Sequence, residues 1–324
     1  MKADELLGIK NKPGATAYFQ HDQQTDTLFI NSHGLRVSRK EFLKSSNDSS
    51  EASLFIGCSF TFGFFCPTNT TYPELLCEKL NTRCFNGGTN SYGLAQMNIF
   101  LQELFNHYSP KRVFVQYSSW LPWRSKLYYL PISNVAVPNP YYSKKDDSVF
   151  IQKPLFTTSF YDLNLPPYRV SLVKFIYLSA TEIIPFYIQE LFQKIYSSVL
   201  LRLKIRPFAH NDLKEIEKTG YTTIYDLCRK KGATMYLVAM GNRNSTEPPE
   251  YLSENAGYCF INADSVLLSE TSNAEDYDKK FCHNIVQNGD TITFDKHFNP
   301  YANLIISNIV YQTVKHHEAK YPNR

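Results

Sequence analysis

The sequence predicts an α/β fold: a three-layer α/β/α sandwich with a central, mostly parallel five-stranded sheet and a helical, aromatic-rich insertion. Three observations predict it. Short apolar runs alternate with amphipathic helical segments. The connections between those runs are long enough for helical crossovers, which make the strands parallel and cover both faces of the sheet. The chain of 324 residues, 43% hydrophobic and 20% charged, has the composition of a globular protein with a substantial core.

Residues 1–50 read as an extended N-terminal segment packing on the core. Within it, DTLFINSHGLRVSR alternates loosely around a turn at Ser32-His33-Gly34. Residues 51–324 form the main domain. Leu54 to Ile56 is its first buried strand, and it runs into the small-residue turn GCSFTFG. In TYPELLCEKL, Thr71 is placed to cap a helix, Pro73 suits its first turn, and Glu74 completes a capping box. Arg83 to Phe85 is a second strand, followed by NGGTNSYG. A helix from Leu94 to His107 gathers Leu94, Met97, Phe100, Leu101, Leu104 and Phe105 on one face and stops at Ser109-Pro110. Val113 to Tyr117 is the third strand.

The rhythm then breaks. Residues 121–205 are rich in Pro and aromatics and read as an insertion; its stretch 170–203 looks helical but is split by Pro185. The aromatics Trp120, Trp123, Tyr128, Tyr129, Tyr141 and Tyr142 could line a glycan site, pack under a long loop or meet a second copy of the chain in a homo-oligomer. The rhythm resumes with a helix over 212–231, strands at Met235 to Met240 and Cys259 to Ala263, and a last helix capped by Asn299 with Pro300 in its first turn.

Several function classes are excluded at this level. A net charge of +4 with no dense Lys/Arg stripe argues against nucleic-acid binding. The 170–203 stretch carries Lys174, Glu182, Glu190 and Lys194, too many charges for a membrane span. The N-terminus lacks the apolar core of a secretory signal, and the seven cysteines lack paired C-x-x-C spacing. Together these point to reduced thiols and a cytoplasmic location. Cys282-His283 alone does not make a zinc site.

The turn after the first strand carries two nucleophile types, Cys58 and Ser59, where open α/β sheets bind ligands. Phosphate-loop patterns are absent, and Thr61 stands where a G-x-S-x-G elbow needs its second Gly. A tight turn needing small residues explains the stretch as well as an active site does. Ser59 ranks above Cys58, whose side chain should point to the other face of the strand end. A serine needs a base. Of eight histidines, His297 alone follows an Asp by two residues, Asp295, in what reads as a loop before a well-capped helix. Such a loop can curl the carboxylate onto Nδ1 and leave Nε2 free for a hydroxyl proton. Taken alone, the pair also fits a solvated polar loop.

GCSFTFG and DKHFNPYANLII, taken together, resemble the first and last blocks of the SGNH/GDSL hydrolase family. TYPELL, FNGGTNSYGLAQ and KRVFVQYSSW follow that family's order and spacing, and FINSHGLR resembles the N-x-x-G-x-R segment found upstream in many bacterial members. The resemblance spans most of the chain outside the insertion. It implies the family's flavodoxin-like sandwich and an esterase with Ser59 as nucleophile, His297 as base and Asp295 as its orienter. It implies no metal or organic cofactor. The substrate it implies is an acyl ester, in the first place an acetyl ester, of a carbohydrate or small molecule. An O-acyltransferase on the same scaffold and a degenerate binding module are the alternatives. The departures are specific. Cys58 replaces the family's Asp before the nucleophile. Ser91 falls at the second-block Gly, whose N–H serves the oxyanion. The third-block Asn falls at or near Trp120, leaving Ser119 as a substitute oxyanion donor.

Overall fold

The structure, a computed structural model, describes residues 1–21, 24–44, 51–127, 129–132, 135–145, 148–154, 205–207, 212–244, 246–253, 258–287 and 290–321. Its centre is an eight-stranded sheet built from β1 (Thr16–His21), β2 (Gln24–Ile30), β3 (Arg36–Val37), β4 (Ala52–Ile56), β5 (Arg83–Asn86), β6 (Arg112–Tyr117), β7 (Thr234–Ala239) and β8 (Tyr258–Asn262). The spatial order is β8-β7-β6-β4-β5-β3-β2-β1. The five strands expected from the sequence are parallel to one another. The sheet is larger than expected because the N-terminal segment adds β1 to β3 as an antiparallel extension along β5. The loose alternation of DTLFI and the Asn31–Gly34 turn are that extension's hairpin signal.

The parallel strands are apolar on both faces because helices cover both. Leu54 and Ile56 of β4, Val113 and Val115 of β6, and Met235 and Leu237 of β7 join one core. Its helices are α3 (Leu94–Leu104) and α5 (Leu213–Lys230), reached after α1 (Ser59–Phe62) and α2 (Tyr72–Leu80), with the short α4 (Trp120–Arg124) between them. The alternate residues Phe55, Phe114, Tyr236 and Val238 face the second core, with Leu76 of α2. Phe55, Phe114 and Tyr236 stack ring on ring across the three central strands, centroids 4.7 and 5.1 Å apart. Further helices on this face are α6 (Ala263–Ser269), α7 (Ala274–Phe281) and α8 (Pro300–Lys320). As expected, Asn299 caps α8, its side chain accepting the Ala302 N–H at 2.9 Å.

The capping box expected at Thr71 does not form. The Thr71 hydroxyl donates back to the Thr68 carbonyl, and Asn303 of α8 takes the Tyr72 N–H instead. Local side-chain bonding and a tertiary partner outcompete the cap. The described part of the insertion is also more regular than its composition suggests. It contains the hairpin Tyr129–Ile132 with Val135–Pro138 and a three-stranded sheet of Tyr141–Lys145, Ser148–Gln152 and Ile205–Pro207. Tyr128 and the 170–203 stretch lie outside the described residues. Among the described residues, no helix is long and apolar enough to cross a membrane.

Candidate active site

Chain direction reverses at β4: β5 follows on one side and β6 on the other. The carboxyl end of β4 is therefore the switch point of the sheet, and it hands the chain directly to Ser59. Gly57 is required there, because a Cβ would stand 2.1 Å from Thr61 Oγ1 and 2.6 Å from Gln116 Oε1. Gln116, fully buried on β6, holds the turn. Its Oε1 accepts from the Cys58 N–H and from the Thr61 hydroxyl, both at 2.9 Å. Its Nε2 donates to Ser118 Oγ at 2.8 Å and to Cys58 Sγ at 3.2 Å. Cys58 is thus a buried neighbour of Gln116, and Ser59 alone of the two candidates reaches the histidine.

The far end of α1 is held by groups from other elements. The buried Arg36 guanidinium donates to the carbonyls of Phe62 (2.8 Å), Gly63 (2.9 Å) and Cys66 (2.6 Å) and to Thr68 Oγ1. Burial lowers its pKa to about 10, so it stays charged at neutral pH. Asn86, paired with Arg36 across β3 and β5, donates to the Thr61 carbonyl at 2.9 Å and accepts the Gly88 N–H at 2.9 Å. A Cβ at Gly88 would fall 2.3 Å from the Phe62 nitrogen, so the NGG turn can lie flat against α1 only as glycine.

Asp295 and His297 are not in a loop, as the sequence suggested. They lie on β10 (Asp290–Phe298), which pairs antiparallel with β9 (Cys282–Gln287). The register with β9 jumps from Asp295 to Phe298, so β10 bends at this irregularity and turns the His297 ring toward the Asp295 carboxylate, the local bend that the sequence reading asked of a loop. Asp295 Oδ1 accepts from His297 Nδ1 at 2.5 Å and from the His297 backbone N–H at 2.8 Å. His297 Nε2 lies 2.7 Å from Ser59 Oγ. The rings of Phe60 and Phe64 flank the imidazole at 4.9 and 5.2 Å. The side chains of His297 and Asp295 are about one-quarter exposed, 22% and 24%.

The two expected oxyanion positions differ. Ser91 takes the left-handed backbone conformation at φ 65°, a region that glycine enters most freely, and its N–H makes no hydrogen bond among the described residues. Ser59 opens α1, where backbone N–H groups lack intrahelical acceptors. Ser119, by contrast, is exposed and its N–H is committed to Asn242 Oδ1 at 2.7 Å. Asn242 is in turn held by Asp264 Oδ2 at 2.8 Å. Asp264 also accepts the Gly241 N–H at 2.6 Å, and burial pushes its carboxyl above the usual range. This Ser119–Asn242–Asp264 network braces the ends of β6 and β7.

Of the aromatics that could line a glycan site, Tyr141 and Tyr142 are buried, and the Tyr142 hydroxyl accepts from Asn98. Trp120 packs on Phe60, 5.4 Å between centroids, and Trp123 is exposed. Among the described residues, no cluster of three or more His, Cys, Asp or Glu side chains could hold a metal. Gln116 holds the turn without having been singled out in the sequence, and Arg36 entered only as the Arg of the N-x-x-G-x-R resemblance, with no role attached. Their signal was a lone polar residue in an apolar strand, VFVQY, and a charged residue at the edge of the N-terminal turn.

No protein-family model matches the sequence, and none of the curated proteins does. Solved structures do match. A protein described as lipolytic and of the G-D-S-L family, from Desulfitobacterium hafniense DCB-2, aligns over 82% of this chain and 99% of its own, with 9% identity and a TM-score of 0.40. A catalytic mutant of Axe2, an acetylxylan esterase from Geobacillus stearothermophilus, aligns over 83% of this chain and 96% of its own, with 11% identity and a TM-score of 0.42.

Proposed function

We propose that this protein is a serine hydrolase of carboxylic esters, with Ser59 as nucleophile, His297 as general base and acid, and Asp295 as the residue that orients it. The observation that carries the proposal is the unbroken line of hydrogen bonds from Ser59 Oγ through His297 to Asp295, 2.7 and 2.5 Å long. Asp295 on Nδ1 fixes the tautomer and leaves Nε2 to accept the serine proton. Ser59 Oγ attacks the ester carbonyl carbon as its proton passes to Nε2. The Oγ–C bond forms, and the carbonyl oxygen becomes an anion facing the N–H groups of Ser59 and Ser91. Collapse breaks the bond to the alcohol oxygen, which takes the proton back from Nε2. Water then loses a proton to Nε2 and attacks the acyl-serine. The carboxylic acid leaves and Ser59 regains its proton.

The third-block Asn side chain of the family is lost here, and the backbone N–H of Ser119 cannot stand in for it, because it is committed to Asn242. Loss of one oxyanion donor costs about a hundredfold or more in rate, so slow turnover is expected. The free thiols suit a reducing compartment. The test is hydrolysis of 4-nitrophenyl acetate by the purified protein. Steady turnover that disappears in Ser59→Ala is the expected outcome. Equal rates for the two folded proteins would sink the proposal.

A further inference from the structure

Apolar surface leads away from the site on the side of His297. Phe64 lies against the imidazole at 5.2 Å, Phe65 against Phe64 at 4.4 Å, and Phe294 of β10 against Phe65 at 5.8 Å. Ile292, two residues along the strand, continues that face, and its cross-strand partner Ile285 widens it. Phe294, Ile292 and Ile285 are 49%, 42% and 46% exposed. Large apolar side chains grouped this way on a protein surface mark a contact site.

Two backbone features show that the strip is built rather than incidental. The register of β9 with β10 skips one residue between Thr293 and Asp295, so Phe294 stands out as a bulge immediately before the Asp–His pair. Bulges beside active sites re-aim side chains. Phe65 itself holds a left-handed backbone conformation, φ 62°, which a bulky residue avoids unless its surroundings impose it.

Chemistry decides which half of an ester such a strip takes. In the reaction proposed above, His297 Nε2 returns the proton to the leaving alcohol oxygen, so the alcohol half lies on the His297 side of Ser59. We infer that the substrate's alcohol is apolar, an aliphatic or aromatic group laid along Phe64, Phe65, Phe294 and Ile292, rather than a sugar. The inference rests on the serine-hydrolase reading and, of the carbohydrate or small molecule expected from sequence, takes the small molecule.

The test uses two ester series. In one the acyl group is acetyl and the alcohol lengthens from methyl to butyl to octyl. In the other the alcohol is methanol and the acyl group lengthens from acetyl to octanoyl. kcat/KM should rise about tenfold or more along the first series as apolar surface is buried. The double variant Phe294→Ser, Ile292→Thr should flatten that rise to within about threefold, with methyl acetate and the whole acyl series unchanged. Both positions are exposed, and unchanged methyl acetate turnover reports that the variant is folded. A flat first series in the wild type, or a rise the double variant leaves intact, overturns the inference alone. No turnover of any ester, together with no labelling of Ser59 by a fluorophosphonate, overturns the hydrolase reading and this inference with it.

Discussion

A serine hydroxyl is a weak nucleophile, and in the proposed reaction what activates Ser59 is the placement of two nitrogens and one carboxylate. Asp295 accepts both the backbone N–H and Nδ1 of His297, so a single oxygen fixes the ring's position and its tautomer. Asp295→Asn keeps the shape but favours the wrong tautomer. It is expected to lower kcat on the order of 10⁴-fold with little change in KM, measured with a chromogenic ester. A drop below about tenfold would mean that Asp295 is only a surface partner. These three residues were legible in the sequence because their spacing carries chemistry. Ser59 ends an apolar strand, and an Asp–x–His pair precedes a capped helix. The role of Gln116 was not legible. It exists only because β6 lies next to β4, so that one amide can take both the Cys58 N–H and the Thr61 hydroxyl. The notion of Cys58 as a drifted Asp misses this, since the bonds that hold the turn come from the neighbouring strand.

At the scale of elements, the site is assembled from short pieces that could not hold their shape alone. The helix bearing Ser59 is one turn long, and its last carbonyls would be unsatisfied without Arg36 and Asn86. The first 50 residues therefore do more than pack on the core: they supply a buried cation to the nucleophile turn. Arg36→Met removes hydrogen bonds to three carbonyls, those of Phe62, Gly63 and Cys66. At about 1 kcal/mol or more for each, it should cost about 3 kcal/mol of unfolding free energy. Urea denaturation reads this directly, and a loss below about 1 kcal/mol would contradict it. The β9–β10 hairpin illustrates what sequence patterning hides. Its alternation Thr291-Ile292-Thr293-Phe294 has a strand's period, yet the apolar positions face outward. A reading tuned to buried faces took the segment for a loop.

At the scale of the molecule, the described residues form a mostly parallel sheet covered on both faces, with the proposed site at the carboxyl ends of its parallel strands and β6 tied to the last helix at the opposite end. Arg112, on β6, makes a bidentate pair with Glu318 of α8, 2.5 and 3.0 Å, and also bonds Glu51 ahead of β4. Burial would raise the Glu318 carboxyl, but the hydrogen bonds and charge of Arg112 outweigh it and hold it below the usual value near 4.5. A carboxyl lowered on folding stabilises the folded state above its unfolded pKa, and that stabilisation is lost as pH falls through the lowered value. Glu318→Gln should therefore reduce stability by about 1 kcal/mol at pH 7, with the two proteins converging in acid below the glutamate range. Thermal melts across pH check this; a difference that persists in acid would assign the effect to packing. The parallel strands and covering helices were readable from their rhythm. The antiparallel extension was readable only as a loose alternation around a turn, because half-exposed strands leave little more trace until β5 provides an edge to pair with. The account turns on Ser59 being an activated nucleophile, and intact-protein mass spectrometry after treatment with a fluorophosphonate tests that most directly. A single adduct mapped to Ser59, absent in Ser59→Ala and much slower to form in His297→Ala, is the predicted result. A folded wild-type protein that takes up no adduct, or takes it up at another residue, would contradict it.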